Sequence, residues 1–491
     1  MKLKLKKLAL GAGRPVAFIN EHNARELNIH VNDRVEIIRK GDKIIAIVDI
    51  VRGFIAKGEV SLSEEIIDYL KLKDGDIIDV TPAIEPKSSR LIAKKLSGKK
   101  LSKSEIYCIV SDMVNNALTE AEIAYFVSGV YENGMDTEEI INLTEAMYKT
   151  GESIDWHAGK IVDKHSIGGI AGNRTTPIIV SICAALGVVM PKTSSRAITS
   201  AAGTADVMET LTNVDFSVSK LKAIVRKTGA CLAWGGSLNL APADDKLIRV
   251  ERLLNLDPES QLIASILAKK LAVGSKYVLI DIPYGPNAKV NKQCAKELKE
   301  KFIKIGNHFK LRIKVVLTDG SQPIGNGIGP VLEMIDVLKV LKGKNPPEDL
   351  KKKSIMLAGE ILEMVGKAPK GKGKVIAAEI LESGKALKKF EEIIKAQGKR
   401  DGLKTAKFVH NIKSASGGTI AGMDNRSINL LGRILGCPSD KSAGIYIHKH
   451  KSDRLKKGET ILTLYSESDK KLKEAINFLR EANPITLKRM R

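Results

Sequence analysis

The stretch KTSSRAITSAAGTADVMETL, residues 192–211, places six Ser/Thr hydroxyls and one arginine in the thirteen positions from Lys192 to Thr204. Small hydroxylated residues let a ligand approach the backbone, and Ser, Thr and Arg all donate hydrogen bonds to anionic oxygens. An ordinary polar loop would share this composition. About thirty residues upstream, VDKHSIGGIAGNRTT (162–176) runs from a strand end into a glycine-rich turn. Gly168, Gly169 and Gly172 permit tight turns whose amides can face an anion, and Lys164, Ser166, Thr175 and Thr176 add side-chain donors. The stretch is neither a P-loop nor a dinucleotide fingerprint. Two donor-rich loops this close in sequence can enclose one or two phosphates.

A third constellation suits proton transfer. In NLDPESQLIASILAKK (255–270), Asp257, Gln261, Ser265 and Lys269 recur every fourth residue. They form a slowly winding polar stripe, with Ile263, Ile266 and Leu267 largely off it. Such a wall could line a heteroaromatic base, with Asp257 as general acid. Asp followed by Pro is equally an N-cap and N1 pair, and on residue types alone the two readings stand level. DGSQPIGNGIGP (319–330) reads as a glycine-rich turn between strand and helix, and HKH (448–450) lacks the spacing of a zinc site. Trp156 and Trp234 each stand alone and read as packing residues.

These groups need a scaffold, and 491 residues are too many for one core, so two to four domains are expected. Residues 1–84 alternate around glycine-centred turns and read as a β-rich, barrel-like domain. Ser102 and Glu105, Thr119 and Glu122, and Asp136 and Glu139 are spaced as capping boxes before apolar periodic runs. They predict a helical domain over 88–152, joined by 242–273. Apolar runs such as YVLIDIP alternate with helical stretches over 160–240 and 275–400, the pattern of an α/β layer that holds both loops. Residues 405–491 read as an α+β subdomain. The fold class is therefore α/β with a small all-helical domain, an N-terminal β-rich domain and a C-terminal α+β piece.

With 80 Lys+Arg against 57 Asp+Glu, the net charge of +23 raises the possibility of a nucleic-acid binder. Aromatics at 4% leave few stacking platforms, and lysines interleave with glutamates, as in KKLKEAINFLREAN. A small anionic substrate fits better, and no nucleic-acid partner is expected. No apolar run is long enough to span a membrane. Five cysteines without a CxxC pair suggest a reducing, cytoplasmic setting.

The DKHS and GG residues of 163–169, then Ser194, Arg196, Gly203, Thr204, Asp206 and Glu209, then LIASILAKK and LESGKALKKFEEIIKAQG, occur in the order seen in thymidine and pyrimidine nucleoside phosphorylases. The chain resembles that family over about 88–491. The extra first 84 residues, NRTTP and KTSSRAITSAAGTAD are similar to its archaeal AMP phosphorylase branch. The resemblance implies phosphorolysis of AMP, and of CMP and UMP, to free base and ribose 1,5-bisphosphate in nucleotide salvage. Inorganic phosphate is then a co-substrate, and no cofactor or metal is implied. It places phosphate on Lys164, Ser166, Thr175 (or Thr176), Ser194 and Thr204. It places the nucleotide on Gly169, Ser195, Arg196, Ala197, Ile198, Thr199, Ser200, Thr204, Ser265 and Lys289, with Asp257 as proton donor. Relatives form dimers through the helical domain and larger assemblies through the N-terminal one, so a homo-oligomer is expected. The alternatives are a thymidine or pyrimidine nucleoside phosphorylase, a phosphoribosyltransferase of similar fold, and a basic nucleic-acid-binding protein.

Two departures from the nucleoside enzymes matter. Their pyrimidine-gripping arginine, seven residues before the Asp257 position, is here Val250. Their Gly-His-Thr-Gly-Gly-Thr is here Thr199 to Thr204, with the histidine replaced by Ser200. The smaller hydroxyl opens room for a 5′ substituent. Ser195, Arg196, Thr199, Ser200 and Lys289 are therefore expected at a 5′-phosphate, and Lys164 and Ser166 at the attacking one.

Overall fold

Period-two burial sets the first domain. In KLKL (Lys2–Leu5) Leu3 and Leu5 are buried while the lysines face out, and Arg34–Arg39 buries Val35 and Ile37 in the same way. The computed structural model describes residues 1–156, 159–198, 200–400 and 402–488. Six strands, Lys2–Leu5, Val16–Asn20, Arg34–Arg39, Asp42–Val51, Glu59–Leu62 and Ile77–Pro82, close into a barrel. Closure pairs every strand edge, and Leu3, Ile19, Ile37, Val48, Leu62 and Val80 fill the interior.

The three capping boxes are all formed. Ser102, Thr119 and Asp136 each accept the amide three residues on, and Glu105, Glu122 and Glu139 reach back to the cap amides. The helices Lys103–Val114, Glu120–Asn133 and Thr137–Lys149 bury Ile106, Phe126, Val127 and Leu143. Leu247, Val250, Ala264 and Ala268, from the later helices Pro242–Leu254 and Glu259–Ala272, enter the same core. Residues 1–151 and 241–268 accordingly make one unit, and 152–240 with 269–491 make a second, larger one.

In the larger unit, Val162–Ser166, Tyr277–Tyr284 and Arg312–Asp319 run parallel with Tyr277–Tyr284 in the middle. A parallel pair, Met190–Ser194 and Ala230–Trp234, is linked to them by the Ile161–Val189 bridge. The middle strand is buried from Tyr277 to Pro283, which explains its nearly continuous apolar sequence. Both donor-rich loops follow the carboxyl ends of parallel strands, at Ser166 and Ser194, where open α/β sheets bind ligands. The C-terminal part adds antiparallel sheets and the helices Asn425–Leu435 and Asp469–Ala482. Among the described residues no helix is long and apolar enough to cross a membrane.

The smaller unit contains a buried ion pair: Lys95 Nζ donates to Glu139 Oε1 at 2.9 Å, with both side chains under 5% exposed. The same oxygen accepts the Leu101 amide at 3.0 Å. Removing one partner of such a pair costs about 3–5 kcal/mol, whereas replacing both by apolar groups is often neutral. Glu139→Ala should lower the free energy of unfolding by that much, and Lys95→Met with Glu139→Leu should recover part of it, since the Leu101 and Asp136 amides still lose their acceptor. A double variant as unstable as the single one would contradict this.

Candidate active site

The site rests on two buried carboxylates on adjacent strands. Asp163 is fully buried, with Lys192 Nζ 3.1 Å from Oδ1 and Lys270 Nζ 2.7 Å from Oδ2. Burial alone would raise its carboxyl, yet Lys192 and Lys270 hold it below the ordinary value. On the neighbouring strand, Asp281 accepts Thr318 Oγ1 at 2.6 Å and lies 3.1 Å from Lys353 Nζ. Burial opposes its ionisation too, and Lys353 and Lys164 bring it below its usual value.

Lys164 is the strand residue that reaches the first loop. Its side chain is 1% exposed, and Nζ donates to Thr175 Oγ1 at 3.1 Å. Burial pushes this ammonium down to about 7, against the attraction of Asp281 and together with the repulsion of Lys353, Lys192 and Arg174. A dianion in contact with it would supply the missing negative charge. Beside it, Ser166 Oγ is buried with no hydrogen-bond partner among the described residues.

Two glycines shape this turn. Gly169 has φ +88°, and a Cβ there would lie 2.8 Å from Lys289 Cγ, so the glycine lets the Lys289 chain lie against the loop. Gly172, at φ +71°, would place a Cβ 2.1 Å from the Ile324 carbonyl oxygen. Asn425 Oδ1 accepts the Ala171 amide at 3.1 Å, and Asn429 Oδ1 accepts the Ala201 amide at 3.1 Å. One C-terminal helix thus fastens both loops.

The second loop folds back on itself. A Cβ on Gly203 would sit 2.4 Å from the Arg196 carbonyl carbon. Asp206 Oδ2 accepts the amides of Ala197 at 2.7 Å and Gly203 at 2.9 Å, which turns those two amides toward the carboxylate. Arg196 donates to Glu209 at 2.7 and 2.9 Å and to Asp206 at 3.2 Å, and stacks over Trp234 at 4.7 Å. The Arg196 hydrogen bonds hold Glu209 at about 2, against its burial. The Arg196 guanidinium is thus engaged within the loop. Ser194 Oγ donates to the Ala233 carbonyl at 3.3 Å and Ser200 Oγ to the Ala202 carbonyl at 3.0 Å. Ser195 is exposed, Ile198 is half-buried, and Thr199 lies outside the described residues. Thr204 Oγ1 accepts from Arg174 Nη1 at 2.7 Å.

The larger unit therefore joins Lys164 to Thr175, Gly169 to Lys289, and Gly203 to the 195–197 backbone. Thr176 is buried on the helix Thr175–Ala185. Asp257, exposed between two helices, and Ser265, half-buried on Glu259–Ala272, belong to the smaller unit. Val250 lies in that unit's apolar core, and the neighbouring Arg249 donates to the Gly13 carbonyl at 3.0 Å.

Sequence reasoning did not single out Asp163, Lys192, Lys270, Asp281, Lys353, Arg174 or Glu333 as site-building residues. One signal was available. Asp281 interrupts the apolar run YVLIDIP, and a charge inside a doubly covered strand must have a buried partner. The lysines that meet the two aspartates come from distant segments and carry no local signature.

Comparison with known proteins agrees with this architecture. Residues 89–151 match the glycosyl transferase family helical bundle domain, 158–387 its a/b domain, and 419–486 the pyrimidine nucleoside phosphorylase C-terminal domain. A solved anthranilate phosphoribosyltransferase from Thermus thermophilus shares the fold, with a TM-score of 0.53 at 18% identity over 62% of this chain and 98% of that one. The AMP phosphorylase of Pyrococcus furiosus is 45% identical over 100% of this chain and 98% of its own. That of Pyrococcus abyssi is 47% identical with the same coverage. A putative thymidine phosphorylase of Legionella pneumophila is 41% identical over 95% of this chain and 91% of its own. Similarity of this degree along the whole sequence, barrel included, makes the chain a member of the AMP phosphorylase family.

Proposed function

We propose that the protein cleaves AMP with inorganic phosphate, releasing adenine and ribose 1,5-bisphosphate. The observation that carries this reading is the buried Lys164 ammonium at the carboxyl end of a central parallel strand, bonded to Thr175 beside the Ser166 hydroxyl, which has no partner among the described residues. These are donors for an anion, held where a parallel sheet binds its ligand.

In the proposed reaction Lys164, Ser166, Thr175 (with Thr176), Ser194 and Thr204 hold the attacking phosphate. One of its oxygens bonds to C1′ as the bond from C1′ to the base breaks, through a sugar carrying positive charge. Proximity and charge matching supply most of the acceleration. Asp257 protonates the departing base and recovers the proton that the phosphate oxygen loses, so protons balance. Ser195, Ser200 and Lys289, with Thr199, hold the 5′-phosphate, while Gly169, Ala197 and Ile198 line the nucleotide. Arg196 shapes that loop through Glu209 and Asp206. Ser265 faces the base from the stripe it shares with Asp257. With Val250 where the nucleoside enzymes carry an arginine, the pyrimidine clamp is incomplete, which supports a broader base preference that admits a purine, with CMP and UMP as further substrates. We place the enzyme in the cytoplasm as a homo-oligomer in nucleotide salvage, with no nucleic-acid partner and no cofactor.

Incubation with AMP, CMP, UMP, adenosine or thymidine, with and without phosphate, should show phosphate-dependent base release from the monophosphates. No such release from any of them would end this reading. Asp257→Asn should lower turnover by about 10²–10⁴-fold. Asn caps a helix nearly as well as Asp, so an unchanged rate would leave Asp257 only a structural part.

Lys164 sets a pH dependence. Its value of about 7 lies below the ordinary 10.5, so above pH 7 the free lysine sheds a proton that phosphate binding must restore. KM for phosphate should therefore climb above pH 7, toward about tenfold per pH unit. Between the two values the unfolded chain binds more protons than the native one, so this lysine makes stability rise with pH from about 7 to 10.5. Lys270 and Lys246, each pushed down to about 8 by burial, add to the rise, so urea unfolding of Lys164→Met should show a shallower one. An identical pH slope in the variant would remove Lys164 from the account.

A further inference from the structure

Arg174 precedes the helix Thr175–Ala185 and touches the second donor-rich loop as well. Nη1 donates to Thr204 Oγ1 at 2.7 Å, Nη2 to the Ala202 carbonyl at 2.8 Å, and Nε to Glu333 Oε2 at 2.7 Å. Glu333 is itself buried, and its other oxygen accepts the Gly329 amide at 3.0 Å. The planar guanidinium is thereby fixed on three sides, by a hydroxyl, a carbonyl and a carboxylate.

Direction follows from donor chemistry. A guanidinium has no acceptor, so Thr204 Oγ1 can only accept in this contact, and its own proton must be offered elsewhere. While it carries its proton, Lys164 imposes the same polarity on Thr175, because an ammonium also only donates. Both threonine hydroxyls are thus backed by a cation and left with a proton to donate. The groups that such donors suit are anionic oxygens. Arg174 faces Glu333 on its other side; burial pushes that carboxyl up to about 7 against the pull of the guanidinium, so above pH 7 the charge of Arg174 is matched within the protein.

We propose that Arg174 is a positioning residue: it fixes the Thr204 hydroxyl as a donor to the attacking phosphate and does not itself bind that anion. This rests on the reading above that Thr204 meets inorganic phosphate. The pair with Glu333 orients the loop rather than attracting the substrate. A lysine in its place keeps the charge but cannot span three acceptors.

The test is a cycle in the wild-type chain in which every Arg174→Met variant also carries Glu333→Gln, which keeps an acceptor for the Gly329 amide and avoids a stranded carboxylate. Arg174→Met, Thr204→Val and their combination are compared by KM for phosphate, KM for AMP and kcat. The binding of inorganic phosphate alone is read as the rise in melting temperature that it causes. Arg174→Met and Thr204→Val should each raise KM for phosphate about ten- to a hundredfold. The combination should be no worse than Thr204→Val alone, because Arg174 acts through that hydroxyl. KM for AMP should rise less than KM for phosphate, since Thr204 and the Ala202 carbonyl also border the nucleotide loop, and Arg174→Lys should not restore phosphate binding. Losses that multiply in the double variant would show that Arg174 acts on its own and overturn the proposal. So would phosphate binding that Arg174→Met leaves unchanged, or a loss that falls equally on both substrates with a lower melting temperature. If the wild-type chain binds no phosphate, the proposed function fails and takes this inference with it.

Discussion

Buried positive charge in excess of buried negative charge is the constraint on which this site depends. Asp163 and Asp281 stand fully buried on adjacent strands, and Lys164, Lys192, Lys270 and Lys353 are buried as well. With every group ionised, four lysines face two carboxylates. An unmatched charge in a protein interior is costly, and the cheapest relief is loss of a proton or gain of a counter-ion. Lys164, pushed down to about 7, carries much of that surplus, and it sits at the strand end where the first loop begins. A phosphate dianion would cancel the two unmatched charges. Above pH 7 Arg174 and Glu333 form a matched pair and leave the surplus as it is.

The rest of the larger unit keeps the donors in place around that surplus. Asp206 draws two amides of the second loop inward, Arg196 ties it to Glu209, and Asn425 and Asn429 reach over from the C-terminal helix. Glycines at 172 and 203 allow backbones to approach where any side chain would collide. Donors fixed before the substrate arrives need no reorganisation during reaction, which is where such sites gain most of their effect. The same arrangement costs stability: Ser166 Oγ has no partner among the described residues, and Lys164 lies buried beside like charges.

Much of the scaffold was legible because its signals are local. Ser102, Thr119 and Asp136 cap their helices within four residues, and the alternation in KLKL is visible in the sequence itself. The donor-rich loops were legible for the same reason, since their chemistry lies in consecutive residues. What lay beneath them was not. Lys192, Lys270 and Lys353 meet their aspartates across 29, 107 and 72 positions of chain, separations that no spacing rule encodes. Arg196 shows the limit from the other side. It was expected at a phosphate because an arginine among hydroxyls suits one, yet its guanidinium is held by Glu209, thirteen residues on, in the same motif. Residue type suggested an anion beside this arginine, and packing supplies Glu209 from within the motif as one.

The central claim is that phosphate held by this charge surplus attacks C1′ of a nucleoside monophosphate. AMP incubated with fully ¹⁸O-labelled inorganic phosphate tests it most directly, with the products resolved by mass spectrometry and phosphorus NMR. The expected product is a ribose carrying two phosphates, with the label kept entirely on the one at C1 and none on the one at C5. Ribose 5-phosphate free of label, formed together with adenine, would mean that water and not phosphate is the nucleophile, and would contradict it.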